Sequence, residues 1–328
     1  MILVTGGAGF IGSNLHAALH TRGQDAIVVD WLGDAPLGTA KWRNLAAHPP
    51  YRLIAPEALD AFLATAPAID LVYHLGAISE TTATDGDLVW ATNVELPWRL
   101  WQWCAANGAR FIYASSASTY GNGAQGFDDD PAALHTLRPL NLYGWSKHAF
   151  DLRVQSALQR NEPAPPQWAG LKFFNVFGPN EYHKGSMVSV VKVKFDDVAA
   201  GHRPRLFQSE QQGLADGAQS RDFIWIDDIV DVLLWLGDTP DVSGLFNLGT
   251  GQARTYTDLA YAVCDAMNVP RAIDFVPMPA TLRGQYQSFT QARMDRLRSA
   301  GYPGQFTTLE AGIHTYITRY LASGDLYR

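Results

Sequence analysis

A short apolar run, Ile2–Thr5, ends on Gly6-Gly7-Ala8-Gly9-Phe10-Ile11-Gly12 and passes at once into a segment with helical spacing at Ile11, Leu15, Ala18 and Leu19. A strand, a glycine turn and a helix in immediate succession leave the chain few ways to fold. Gly6, Gly9 and Gly12 recur every third residue, and Gly7 to Gly12 also satisfy the G-x-G-x-x-G spacing. Glycine is needed there for three reasons: a tight turn wants positive φ, the backbone must approach a pyrophosphate closely, and helix and strand must pack without a Cβ between them. The helix N-terminus then offers N–H groups and the positive end of a dipole to phosphates. A second apolar run, Ala26–Asp30, places an acid eighteen residues beyond Gly12, where a ribose hydroxyl of a bound dinucleotide would be met.

Strand-like and helix-like stretches then alternate. Strands are expected at Tyr51–Ile54, Ile69–Leu75, Phe111–Ser115 and Leu171–Phe174, and helices at Ala58–Ala64, Asn93–Ala106 and Tyr143–Leu158. Near-continuously apolar strands between helices predict an α/β fold, a Rossmann-type doubly wound parallel sheet covered on both faces. Beyond about residue 176 the connections lengthen. Phe223–Ile226, Asp227–Leu236 and Leu245–Leu248 restore the strand–helix–strand pattern. The expected division is a dinucleotide-binding domain of residues 1–175 and 223–249, and a smaller, discontinuous α/β substrate domain of 176–222 and 250–328. The segment Ser209–Ser220 lacks periodicity and reads as a surface loop.

Composition narrows the function. The 328 residues are 47% hydrophobic and 17% charged, which excludes a disordered chain. A net charge of −7 argues against nucleic acid as a partner. Two cysteines, Cys104 and Cys264, form neither a disulfide scaffold nor a metal-ligand spacing, so no metal is expected and a reducing cytoplasm fits best. No apolar stretch has the length of a signal peptide or a membrane span.

The chemistry is carried by Tyr143-Gly144-Trp145-Ser146-Lys147, a tyrosine and a lysine at i and i+4 on one helix face, and by Ser115-Ser116 at the end of a strand. A hydroxyl oxidised to a ketone must lose a proton as its hydride leaves. Tyrosine, with an ordinary pKa near ~10, needs help to act as a base, and the Lys147 ammonium and a positively charged nicotinamide would both favour its phenolate. Ser116 would hydrogen-bond the reacting oxygen. For the cofactor, Asp30 favours the 2′-OH of NAD, whereas a 2′-phosphate needs a cation such as Lys41 or Arg43.

These blocks resemble the extended short-chain dehydrogenase/reductase family that acts on nucleotide sugars. Further similarity, in His183-Lys184-Gly185-Ser186-Met187 and Gly284-Gln285-Tyr286-Gln287-Ser288-Phe289-Thr290-Gln291, is to its branch that epimerises ADP-heptoses at C6 for lipopolysaccharide core synthesis. The resemblance implies NADP as the usual cofactor, with NAD possible, and a cytoplasmic homo-oligomer, a pentamer. It implies that Gly6, Gly9, Phe10, Ile11 and Gly12 meet the pyrophosphate, and Asp30, Trp31 and Lys41 the adenosine ribose. Leu75, Gly76, Ala77, Ile78, Ser79, Asn93 and Val176 would line the cofactor, with Lys147 on its ribose. Tyr143 would be one acid/base and Lys184 a second. Ser116, Asn175, Lys184, Ser186, Phe207, Gln208, Ser209, Arg221 and Tyr286 would contact substrate. Three positions depart from that pattern: Trp31 stands where the family often has Asn, the lysine of the third strand is replaced near Pro56, and a histidine aligns with Val193. The choice between NADP and NAD, and the exact sugar nucleotide, stay open.

Several features have plainer readings. The helix with Trp98, Trp101 and Trp103 reads as packing, with a subunit contact as the alternative, and Asp128-Asp129-Asp130 as a solvated loop. His183 reads as structural. A 4-epimerase or reductase of the same family is the competing enzyme. A dehydratase is disfavoured because Ala117, Ser118 and Thr119, not an acidic pair, follow Ser116. A non-catalytic dinucleotide-binding protein would not need Ser116, Tyr143 and Lys147 together.

Overall fold

The computed structural model describes residues 1–34, 40–65, 67–279 and 287–328. Its strands, in chain order, are β1 (Ile2–Thr5), β2 (Ala26–Val29), β3 (Arg52–Ile54), β4 (Leu71–His74), β5 (Arg110–Ser116), β6 (Trp168–Phe173), β7 (Asn175–Phe177), β8 (Arg205–Phe207), β9 (Ser220–Trp225), β10 (Gly244–Leu248), β11 (Ala253–Thr255) and β12 (Asp274–Val276). Seven of them form one parallel sheet in the order β10-β6-β5-β4-β1-β2-β3. Successive strands swap sides between β1 and β4, where Thr5 is paired with both Val29 and His74. That reversal opens a crevice beyond the carboxyl ends of the strands, which is where ligands of such sheets bind.

Side-chain parity explains the layering, because successive strand residues face opposite sides. Leu3, Ile27, Val72 and Phe111 face one core with Trp101, Phe150 and Val154 of the helices Leu96–Asn107 and Leu142–Gln159. Val4, Leu71, Ile112 and Leu171 face the other, with Leu15 and Leu19 of the helix Phe10–Thr21 and Ile229 and Leu233 of the helix Ile226–Asp238. Each fully buried Leu, Ile or Val contributes about 1.5–3 kcal/mol by burial. Trp101 is fully buried, edge-on to Phe111 and Trp168 and stacked with Trp98, so the tryptophan-bearing helix packs into the core of its own chain.

The main sheet matches the strand segments read from sequence, with shifts of a few residues at their ends. The helix expected from Asn93 begins earlier: a helix Gly86–Trp90 runs without a break through a π turn Ala91–Glu95, which contains Asn93, into the helix Leu96–Asn107. One strand is elsewhere: the segment expected to re-enter the main sheet at 223–226 is β9, which lies between β11 and β7 in a separate three-stranded sheet. Its run Phe223-Ile224-Trp225 is as apolar as the buried parallel strands, so local pattern could not tell one sheet from the other. β8 and β12 form a further parallel pair.

The acidic run is a correction. Asp129 is 1% exposed and accepts the Asn247 N–H at 2.6 Å, with Arg296 beside it. Asp130 caps the turn Pro131–Thr136 by accepting from Ala132 N–H, and Asp128 pairs with Arg293. Among the described residues, no helix is long and apolar enough to cross a membrane, and no group of three or more His, Cys, Asp and Glu side chains could hold a metal ion.

Candidate active site

The glycine turn is built by exclusion. Gly6 has φ +67°, and a Cβ there would lie 2.5 Å from Gly76 N. A Cβ on Gly12 would lie 2.1 Å from Gly6 O. The two glycines thus let β1, the helix Phe10–Thr21 and the strand end at Leu75-Gly76 approach one another. No side chain caps the first turn of that helix. An N-terminus of that kind, facing a cradle with no Cβ, fits the pyrophosphate of a dinucleotide.

At the end of β2, Asp30 is buried. Its carboxylate accepts the Ala8 N–H at 3.0 Å and the Trp31 N–H at 2.8 Å, and it ion-pairs with Lys41. The acid therefore fixes the glycine turn and already has a cation beside it. Trp31 is exposed, and its indole N–H donates to Glu57 Oε1 at 2.8 Å.

Ser116, Tyr143 and Lys147 come together through local capping and close packing. The Asn141 side chain accepts the Gly144 N–H at 2.8 Å and so starts the helix just before Tyr143. A Cβ on Gly144 would be 2.7 Å from Ser118 O, so this glycine lets the first helical turn press against the turn that follows Ser116. The Lys147 ammonium donates to Ala114 O at 2.9 Å. Burial pulls that lysine down to about 8, with the charge of Asp151 acting the other way. Burial pushes the Tyr143 phenol up, a hydrogen bond with Ser116 pulls it back, and Asp151 adds to the rise. Desolvation outweighs that hydrogen bond among the protein's own groups, and the Lys147 ammonium is engaged by the Ala114 carbonyl.

Lys184 sits on the turn Tyr182–Met187, with Nζ 5.3 Å from the centre of the Phe10 ring. Three asparagines bring that turn to the glycine-loop helix. Asn14 donates to Pro179 O at 3.0 Å, Asn44 to Asn180 O at 3.1 Å, and Asn180 to Ser13 Oγ at 3.0 Å. Burial pulls Lys184 down, opposed by Glu181. Glu181 is itself buried and accepts from Ser189 Oγ at 2.6 Å and Tyr316 OH at 2.9 Å. His183 is near Asn44, and burial with two neighbouring lysines lowers it to about 4.

The other expected contacts fall into two groups. The segment Leu75, Gly76, Ala77, Ile78 and Ser79 follows β4 into the crevice, and Asn93 braces it at Ile78. Asn175 and Ser186 are exposed, and Val176 lies in β7. Gln208 continues the β8–β12 pairing through its N–H to Val276 O at 2.8 Å, after Phe207, and Ser209 N–H donates to Asp216 at 2.7 Å. Arg221 is buried in β9, donates to Ser220 O at 2.9 Å and to Gln287 O, and lies over the Tyr256 ring. Tyr286 lies outside the described residues.

Sequence reasoning missed Asp151, Lys172, Asn44, Asn180 and Glu181. Two had a readable signal: Asp151 continues the Tyr143–Lys147 stripe by another turn, and Lys172 is a charge inside an otherwise apolar strand.

Residues 2–249 match the NAD dependent epimerase/dehydratase family. The chain belongs to that family. Among similar family members, ADP-L-glycero-D-manno-heptose-6-epimerase of Nitratidesulfovibrio vulgaris (strain DP4) is 45% identical over 99% of both chains. The Fusobacterium nucleatum protein of the same name is 40% identical over 100% of both. A crystal structure of the Helicobacter pylori ADP-L-glycero-D-manno-heptose-6-epimerase superposes with TM-score 0.79 at 26% identity, covering 97% of this chain and 95% of that one. Another family-like structure, MoeE5 in complex with UDP-glucose and NAD, gives TM-score 0.73 at 26% identity over 96% and 97% of the two chains. Membership of the NAD dependent epimerase/dehydratase family makes the cofactor class a nicotinamide dinucleotide, whose chemistry the glycine cradle fits.

Proposed function

We propose that this epimerase interconverts ADP-D-glycero-D-manno-heptose and ADP-L-glycero-D-manno-heptose at C6, using tightly bound NADP, in lipopolysaccharide core heptose synthesis. The observation that carries the reading is the convergence of Ser116, Tyr143 and Lys147 at the crevice, in a chain matched end to end by proteins of that name. A nicotinamide dinucleotide held by the Gly6–Gly12 turn, Asp30 and Lys147 would supply a reversible hydride acceptor for the sugar carbon, so no net redox change would result. Tyr143 exchanges the hydroxyl proton in one orientation of the sugar. Ser116 hydrogen-bonds both the phenol and the reacting oxygen. Lys147 holds the cofactor ribose. If hydride leaves one face of C6 and returns to the other, the oxygen occupies two positions. One phenol cannot reach both within the roughly 2.6–3.2 Å that proton transfer needs. Lys184, on the opposite wall and lowered by its burial, serves the second position.

The Lys41–Asp30 pair supports NADP over NAD, since the ammonium would meet a 2′-phosphate that Asp30 alone would repel. Asn175, Ser186 and Arg221, on or beside the small sheet, and the Phe207-Gln208-Ser209 segment are the substrate contacts in this reading. A cytoplasmic location and a pentameric homo-oligomer come with it, and sedimentation of the purified chain tests the assembly. The reaction itself is tested by incubating the protein with a panel of nucleotide sugars and resolving products by NMR. Conversion of an ADP-heptose at C6 with no stoichiometric consumption of NADP(H) is the expected result. Turnover only of a UDP-hexose, or only with net oxidation of reduced cofactor, would refute it.

A further inference from the structure

Beneath the reaction centre lies a pair of fully buried opposite charges. Lys172 of β6 and Asp151 of the helix Leu142–Gln159 are each 0% exposed and meet at 2.7 Å. Asp151 lies two helical turns beyond Tyr143 and one beyond Lys147, on the same face. Its carboxylate also accepts from Ser115 Oγ at 2.7 Å and Tyr113 OH at 3.2 Å, both on β5. The Lys172 ammonium donates in addition to Thr119 Oγ1 at 2.8 Å and lies 5.2 Å from the centre of the Tyr120 ring. Thr119 in turn donates to Ser116 O at 2.8 Å. One ammonium therefore bridges the helix of Tyr143 and the turn that follows Ser116.

We propose that Lys172 is a positioning residue of the reaction centre: it ties the helix of Tyr143 and Lys147 to the turn of Ser116, and it cancels the Asp151 charge beneath them. A packed interior needs no such pair for stability, because an ion pair removed from water commonly does no better than apolar groups of the same shape. An unpaired Asp151 would act against ionisation of the phenol above it. The groups acting on Tyr143 are Ser116 from β5 and Asp151 from its own helix, in which Lys147 lies one turn on. Those around Asp151 are Tyr113 and Ser115 from β5, Lys172 from β6, Tyr120 from the turn after Ser116, and Lys147 and His148 from its own helix.

This inference rests on the proposed function only in taking Tyr143 as the acid/base. The test is the titration of Tyr143 in the full chain purified with its dinucleotide, labelled with carbon-13 at tyrosine Cζ. The Tyr143 resonance is assigned by its loss in Tyr143→Phe. Lys172→Met should raise the midpoint by on the order of one pH unit, and Asp151→Asn should lower it by a similar amount. The double variant should return close to the parent, and Lys172→Arg should stay there. A merely structural role would move neither midpoint, or would move both in the same direction, and either result overturns the proposal. Should Lys172→Met fail to fold, the comparison passes to Asp151→Asn with and without Lys172→Met: removing the ammonium in that background must bring the midpoint back up, and no change overturns the proposal. The readout needs no substrate. A chain that leaves ADP-heptoses untouched refutes the reading above and leaves this test intact.

Discussion

Asn93 clamps the main chain of Ile78 from both sides, accepting its N–H at 2.9 Å and donating to its carbonyl at 2.9 Å. The same amide donates to Ser146 Oγ at 3.0 Å, next to Lys147 in the chain. A π turn swings Asn93 into this position, and such turns recur at functional sites. The loop along the crevice and the helix of Tyr143 are thereby held in one frame.

Replacing Asn93 by Ala should loosen that loop and weaken dinucleotide binding by about tenfold, the equivalent of one or two lost hydrogen bonds of ~1 kcal/mol each. Titration of the stripped protein with NADP, followed by fluorescence quenching, measures it. Unchanged affinity would mean that the loop holds its shape without the clamp.

Gly6→Ala should cost about 1–3 kcal/mol of stability through its left-handed backbone, and the contact at Gly76 N should deform the cradle. The variant should purify with little dinucleotide and a lowered Tm. A stable variant with a full complement of cofactor contradicts the packing described here.

Lys147 gives a pH dependence with a definite sign. Its folded-state pKa is depressed to about 8 from 10.5, so between those values the unfolded chain binds more protons than the folded one. Stability from this group therefore rises with pH across that window, and below about 8 the buried ammonium costs a constant amount, about 3 kcal/mol. Lys147→Met should abolish epimerisation yet unfold at higher denaturant than the parent at pH 7, with the gap closing as pH climbs from about 8 toward 10.5. Urea titrations of both proteins across that range decide it.

Lys184→Met should lower kcat by about 10²–10⁴-fold and change KM little if the amine is the second acid/base. A normal kcat with a raised KM would reduce Lys184 to a binding contact. Turnover in deuterated water should leave no deuterium at C6 of the product, because a transferred hydride does not exchange with solvent.

What could be read from sequence was what neighbours in sequence determine. The turn from Gly6 to Gly12 depends on residues six apart, and Tyr143 and Lys147 on one helical turn, so periodicity and glycine spacing were enough. Ser116 needed only the end of its strand. The rest depended on where distant segments meet. Asp129 reads as a solvated acid beside Asp128 and Asp130, and only the arrival of Asn247, 118 positions away, buries it. Lys172 looks anomalous in its strand until Asp151 is packed on top of it. β9 has the composition of a central strand and pairs instead with β7 and β11, a choice fixed by partners on either side of it in the chain.

The crevice is also mechanically stiff. β6 ends at Phe173 and β7 begins at Asn175, so a single residue joins the main sheet to the small one, and that residue is buried with its N–H on Leu248 O at 3.1 Å. β9 runs into the helix Ile226–Asp238 with no residue between them. A third crossing, residues 249–252 between β10 and β11, is longer but is held to Asp222 of β9 through the N–H groups of Thr250 and Gly251. Crossings this short predict that substrates are sorted by side chains and loops at the rim and not by a swing of the walls, so X-ray scattering profiles with and without a nucleotide sugar should superimpose.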